Sequence, residues 1–339
     1  MKLTHEIVTV HTKHTFTIAR GGRSEFRVVI VTITDANGAS GIGEAAPSRF
    51  YGETPETVIA ALAQMQPIVE KAAAWAIDDI EREINALIRY NGAAKAAVSQ
   101  ALLDLQCKRL GAPYHKVLGL SADRACPSSF TIGIGSDDEL RMKVKEAADY
   151  PILKVKLGSD RDEEIISVIR EAAPDKILRV DANAAWTPKH ALAMIELLVE
   201  YDVEFVEQPL AATDIEGLRF VRERSPLPII ADESCVISTD IPLLVGVVDG
   251  INIKLAKCGG PREALRMIHT ARSHGLLVMM GCMIETSVGI TAAAHLAPLL
   301  DFADLDGAAL LSDDPYRGAT IDGGVITIPS APGFGVSRA

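Results

Sequence analysis

ILKVKLG, residues 152–158, is a short apolar run broken by two lysines, Lys154 and Lys156. Residues two apart on a strand share a face, so both lysines point the same way from a segment that otherwise asks for burial. The runs that follow repeat the arrangement with acids. ILRVDANA (177–184) carries Asp181, VEFVEQP (203–209) carries Glu207, PIIADES (228–234) carries Asp232, and GINIKLAKCGG (250–260) carries Lys254. Counted from Lys156, the steps are 25, 26, 25 and 22 residues. That is the length of one strand plus one helix and its turns. Each charged residue therefore holds an equivalent point of successive βα units, and in a parallel barrel those points face one mouth.

Working outward, FTIGIG (130–135) precedes this series, and LLVMMGC (276–282) and FADLDG (302–307) follow it. The total is eight strands, with amphipathic stretches such as EEIISVIREAA (163–173) and HALAMIELLVEY (190–201) between them. The predicted fold is α/β, a (β/α)7β TIM-type barrel over 123–317. No GxGxxG fingerprint follows a first strand, which argues against a dinucleotide fold.

Residues 1–122 form a separate α+β capping domain in this reading. HEIVTVHT (5–12) and EFRVVIVTITDANG (25–38) alternate at period two, and GASGIGEAAP (38–47) is a glycine-rich connection. Helices follow: one starts at Thr54-Pro55, and an alanine-rich one runs from Gly92 to a glycine stop at Gly111. The segment 318–339 carries one short strand pattern and is expected to return from the barrel to the capping domain.

With 34 Lys+Arg against 45 Asp+Glu the net charge is −11, which argues against a nucleic-acid-binding face. The five cysteines are scattered without a CxxC pair, as reduced thiols of a cytoplasmic protein would be. The N-terminus lacks the basic-then-apolar pattern of a signal peptide. No apolar run approaches the roughly 18 residues of a membrane span. No membrane partner is expected, and a homo-oligomer is left open.

Asp181, Glu207 and Asp232 brought to one mouth would repel, so they call for a cation. Oxygen donors alone suit Mg²⁺ or Mn²⁺, and no histidine is placed to favour zinc. Lys156 and Lys254 flank the acids as candidate acid/base groups, with pKa values expected to be lowered by desolvation or a neighbouring cation such as Lys154. Lys257 reads as a loop lysine. Asp304 and Asp306, a DxD at the eighth strand end, invite a cationic group on the substrate. Arg20 and Arg23 lie in IARGGRSEF (18–26), where Gly21 and Gly22 suggest a mobile loop over the mouth. An arginine there would grip a substrate carboxylate.

KVK, DAN, EQP, ADES and IKLAKCGG together resemble the muconate-lactonizing subgroup of the enolase superfamily. Within it, DLDG, MIETSVGITAAAH (283–295) and the FTIARGGRSE loop are similar to dipeptide epimerases, the loop most of all to those acting on L-Ala-D/L-Glu. The resemblance implies Mg²⁺ on Asp181, Glu207 and Asp232, opposed acid/base lysines at 156 and 254, and charge stabilisation by Lys154. It implies that Asp304 and Asp306 hold the dipeptide ammonium and that Arg23 meets the second residue's carboxylate, with Thr131 and Ile284 also against the substrate. The shared step is proton abstraction α to a carboxylate, giving an enediolate. The same parts serve N-acylamino acid racemases, o-succinylbenzoate synthases and lactone-forming enzymes, whose substrates lack an ammonium for the DxD. A metal-binding scaffold without activity is the non-enzymatic alternative, and it would need neither lysine.

Overall fold

The computed structural model describes residues 1–339. Strands β1 (Lys2–Ile18), β2 (Gly21–Thr34) and β3 (Ser40–Ala45) form an antiparallel sheet in the order β1-β2-β3. The stretch read as a glycine-rich connection is therefore a strand. Its glycines mark a close approach: a Cβ at Gly41 would fall 2.0 Å from the Ala101 carbonyl oxygen, and one at Gly43 2.1 Å from that of Ala97. Both carbonyls belong to α3 (Gly92–Leu110), whose alanines let helix backbone press onto strand backbone. Gly21 and Gly22 likewise belong to β2, so the expected mobile loop is a tight hairpin with Arg20 at its turn.

α1 (Pro55–Lys71) starts where the Thr-Pro signal puts it. Thr54 and Thr57 cap each other's amides, and Pro55 takes the first turn, where no donor is needed. α2 (Ile77–Leu87) packs between α1 and α3, and short α4 (Tyr114–Val117) leads to the barrel.

The barrel strands are β4 (Phe130–Ile132), β5 (Ile152–Lys156), β6 (Ile177–Asp181), β7 (Val203–Glu207), β8 (Ile229–Ala231), β9 (Gly250–Ile253), β10 (Leu277–Gly281) and β11 (Phe302–Asp304). All pair in parallel in chain order, as the eight runs predicted. A bridge between Ser128 and Ala303 joins the first strand to the last. Helices fill the seven connections: α5 (Asp137–Glu146), α6 (Asp162–Ala172), α7 (Pro188–Glu200), α8 (Ile215–Arg222), α9 (Ile241–Leu244), α10 (Leu255–Cys258) with α11 (Pro261–Ser273), and α12 (Ser287–Ala294).

Period two stacks the inward residues in layers. Arg179, Phe205, Ile230, Met279 and Phe302 lie beneath, with the Arg179 guanidinium over the rings of Phe205 and Phe302. Two residues further on, Asp181, Glu207, Asp232 and Asp304 form the layer above, so β6, β7, β8 and β11 each lead from a floor residue to a site group.

After β12 (Tyr316–Arg317), the C-terminal segment 318–339 holds three short strands where one was expected: β13 (Thr320–Asp322), β14 (Val325–Thr327) and β15 (Ser337–Arg338). Its Phe334 meets α3. Asp104, fully buried in α3, accepts the Ile42 amide at 2.9 Å, the Lys108 ammonium at 2.7 Å and the Phe334 amide at 2.7 Å. One core cluster of 79 buried residues runs from Val29 in the capping sheet to Ile253 in the barrel, so the two parts are one packed body.

Candidate active site

Lys156 pairs in register with Asp181, and Asp181 with Glu207, across β5, β6 and β7. Asp232 lies one residue past β8, and Lys254 directly follows β9. One ligand atom from each of the three acids lies within 4.8 Å of the others, and all three residues are buried. The sequence brought these groups together by step length alone, and the structure places them in one cluster.

The lysines hold the acids. Lys156 donates to Asp181 Oδ2 at 2.6 Å and Lys254 to Asp232 Oδ2 at 2.7 Å. Lys154 lies 2.7 Å from Glu207 Oε2, 2.9 Å from Asp304 Oδ2 and 3.4 Å from Asp181 Oδ2. Its side chain is 1% exposed, so this is a buried cation in a cage of three carboxylates. Burial lowers the Lys154 and Lys254 pKa values, but the acids outweigh it. Asp304, Glu207 and Asp181 hold Lys154 well above an ordinary lysine, and Asp232 does most to raise Lys254. The expected lowering of lysine pKa is corrected for Lys254, whose ammonium lies 2.7 Å from Asp232.

The acids answer unequally. Burial favours the neutral form of all three. Lys156 and Lys154 overcome this at Asp181, and Lys254 and Lys257 overcome it at Asp232, so both stay well below the usual carboxylate range. Glu207 is pushed up to about 7, by burial first and by Asp181 next. Its Oε1 accepts from Asn252 Nδ2 at 2.8 Å, while Oε2 receives no well-aligned hydrogen bond despite the nearby ammonium. Three buried carboxylates converging within 4.8 Å and offering oxygen donors only fit a hard divalent cation.

Lys257 is corrected from the loop-lysine reading. It is buried on α10 and donates to Asp232 Oδ1 at 2.6 Å and to the Asp232 carbonyl oxygen at 2.5 Å. The signal was its place three residues after Lys254, which one helical turn carries to the same side. Asn252 and Glu233 were also missed. Asn252 sits one layer below Lys254, two residues earlier. Glu233 follows Asp232, has a side chain 1% exposed, and keeps Oε2 without a hydrogen-bond partner.

Asp304 and Asp306 flank the lysine cage. Asp304 Oδ1 accepts from Ser129 Oγ at 2.7 Å and Thr131 Oγ1 at 3.3 Å, so much of its capacity is used within the protein. Asp306 accepts the Thr131 amide at 2.6 Å. Burial and then Asp304 raise it to about 7. Ile284 packs with Val10, Phe26 and Leu311 between barrel and capping sheet. Arg20 reaches the mouth: it lies 3.0 Å from Glu233, donates to the Asn183 carbonyl oxygen at 2.9 Å and covers the Phe50 ring. Arg23 stacks on Phe26 at 4.3 Å and has no carboxylate partner.

Comparison with known proteins agrees with this geometry. Residues 2–119 match the N-terminal domain family of mandelate racemase / muconate lactonizing enzyme, and residues 138–338 the family described as enolase C-terminal domain-like. The chain is 41% identical over 340 residues to the L-Ala-D/L-Glu epimerase of Bacteroides thetaiotaomicron, covering 100% of this chain and 88% of that one. Its fold superposes on the dipeptide epimerase of Enterococcus faecalis V583, complexed with Mg and L-Leu-L-Tyr, with TM-score 0.95, 35% identity and 99% of each chain covered. A substrate-liganded L-Ala-D/L-Glu epimerase from Bacillus subtilis gives TM-score 0.94 at 31% identity, again over 99% of each chain.

Proposed function

The chain belongs to the mandelate racemase / muconate lactonizing enzyme family of the enolase superfamily, and we propose that it is a magnesium-dependent dipeptide epimerase interconverting L-Ala-L-Glu and L-Ala-D-Glu. The observation that carries this is the placement of Lys156 and Lys254. Their strands, β5 and β9, stand four apart in a ring of eight, on opposite sides of the acid cluster.

Asp181, Glu207 and Asp232 would hold the metal. When bound, a divalent cation supplies Lewis-acid stabilisation of negative charge building on the substrate carboxylate. The protein's own groups supply the rest. One of the two lysines takes the proton from the carbon α to that carboxylate, and the other returns a proton to the opposite face, inverting the centre. Lys154, fixed between Glu207 and Asp304, offers preorganised positive charge to the enediolate. Asp306 and Asp304 receive the dipeptide ammonium. Thr131 holds both acids and, with Ile284, borders the substrate.

The acidic second residue is assigned to Arg23, because Arg20 is already paired with Glu233. We take residues 1–122, joined by 318–339, as the capping domain that carries this arginine over the 123–317 barrel. The five thiols are free, in keeping with the cytoplasm, where this dipeptide would arise from recycled murein peptides.

The test is a dipeptide library incubated with the protein and Mg²⁺ in D₂O, read by mass spectrometry for α-deuterium. Exchange fastest with Ala-Glu supports the reading. Preference for cationic or hydrophobic second residues would overturn the Arg23 assignment, and exchange only with N-acylated amino acids would overturn the dipeptide class. Arg23→Ala should slow Ala-Glu selectively and spare Ala-Leu.

A further inference from the structure

The capping sheet is irregular where it meets the barrel seam. His11 on β1 pairs with Glu25 and Phe16 with Arg23, so β1 advances five residues while β2 advances two. The three extra residues bow away from β2. Thr12 instead bridges to Leu311, and the Lys13 amide donates to the Leu310 carbonyl oxygen at 2.9 Å. Beneath the bow lies a cavity of about 300 Å³ whose apolar wall is Phe16, Phe130, Tyr150, Leu310 and Ile321. That is the lower end of the size range for small-molecule sites.

One wall is charged in an unusual way. Lys143 of α5 lines the cavity and is 8% exposed. Its ammonium meets one acceptor, the Gly133 carbonyl oxygen at 3.5 Å, and no carboxylate at ion-pair distance. Glu146, one turn along the same helix, is held by His14, whose Nε2 lies 2.9 Å from Oε1 and Oε2 alike. Glu139 and Glu146, one turn away on either side, act on this cation only through space, so a buried ammonium lacks a direct anionic partner, and an anion entering beside it supplies one. We propose that this cavity is a second ligand site, for a small monocarboxylate with an aromatic or branched apolar body. The carboxylate meets Lys143 and the body lies against Phe130, Tyr150 and Leu310. The site stands apart from the two acid/base lysines, yet one wall is shared: Thr131 lines the cavity, and its amide holds Asp306.

The test is calorimetric titration of the Mg²⁺-loaded protein with 3-phenylpropionate. Saturable binding of one molecule per chain is expected, at least tenfold tighter than that of neutral 3-phenylpropionamide. Lys143→Met should weaken binding at least tenfold, and Lys143→Arg should retain most of it. Leu310→Trp, which fills the cavity and keeps the charge, should abolish it, and Lys254→Ala should leave it unchanged. Absence of saturable binding, equal affinity for the amide, equal binding by folded Lys143→Met, or loss of binding in Lys254→Ala would each overturn the proposal. The last outcome would place the ligand in the main mouth.

Discussion

Asp232 carries a lysine on each carboxylate oxygen, Lys254 on Oδ2 and Lys257 on Oδ1. The two are not equivalent. Lys257 also grips the Asp232 carbonyl, so it fixes the backbone and the carboxylate together, whereas Lys254 is tied to the side chain alone. Lys257 thus acts as a positioning residue. Lys257→Met leaves a buried carboxylate short of one partner, a loss of the order of 3–5 kcal/mol. Mn²⁺ affinity, read by electron paramagnetic resonance, should fall at least tenfold, and Lys257→Arg should recover part of it. Unchanged Mn²⁺ binding would refute the positioning role, and tighter binding would show that Lys257 opposes the metal. For the bases, Lys156→Ala and Lys254→Ala should each block α-deuterium exchange from one epimer and leave it for the other. Near-native epimerisation by either single variant would sink the two-base assignment.

At the scale of elements, the barrel was legible because its strand runs are mostly apolar and five in succession, β5 to β9, carry a charge at or just past the mouth end. β3 was not, because Gly41 and Gly43 read as a linker until α3 is seen to lie on them. The His115–His295 contact was equally hidden, since its partners are 180 residues apart. His295 Nδ1 accepts the His115 amide at 3.2 Å, and Nε2 lies 3.0 Å from the Phe334 carbonyl oxygen. That arrangement suits the neutral ring with its proton on Nε2. A second proton on Nδ1 would point at the His115 amide and imidazole. Burial, partly offset by Phe334 and reinforced by His115, pushes the His295 pKa down to about 4. The folded pKa is below the unfolded one, so the stabilising effect is complete above about pH 6.5 and is lost as pH falls towards 4. Wild type should therefore lose stability relative to His295→Gln over that window, by up to about 3 kcal/mol from this group. Urea unfolding at pH 7 and pH 4.5 reads the difference, and parallel curves for the two proteins would refute it.

Across the whole molecule, the acid cluster joins β6, β7 and β8, so a bound cation ties three strands together. EDTA should abolish epimerisation, and Mg²⁺ or Mn²⁺ should restore it. Metal at a hundred times its dissociation constant should add about 2.7 kcal/mol of stability, seen as a rise in Tm. Asp232→Asn should remove that rise, and full activity after exhaustive chelation would remove the metal from the mechanism. The acid cluster and the two lysines beside it were legible because near-equal steps in a closed ring converge. Lys257 and Glu233 were not, because what makes them matter is contact rather than spacing. One further consequence belongs to the buried carboxylate of Asp104, which joins β3 to Phe334. A link between residues about 290 positions apart, Ile42 and Phe334, is a non-local contact whose loop must close before it rewards the chain. Until it closes, α3 presents a carboxylate short of one donor. The capping sheet, complete in its own strands, therefore waits for a distant residue before its buried acid is satisfied, and Phe334 is a late lock on an early fold.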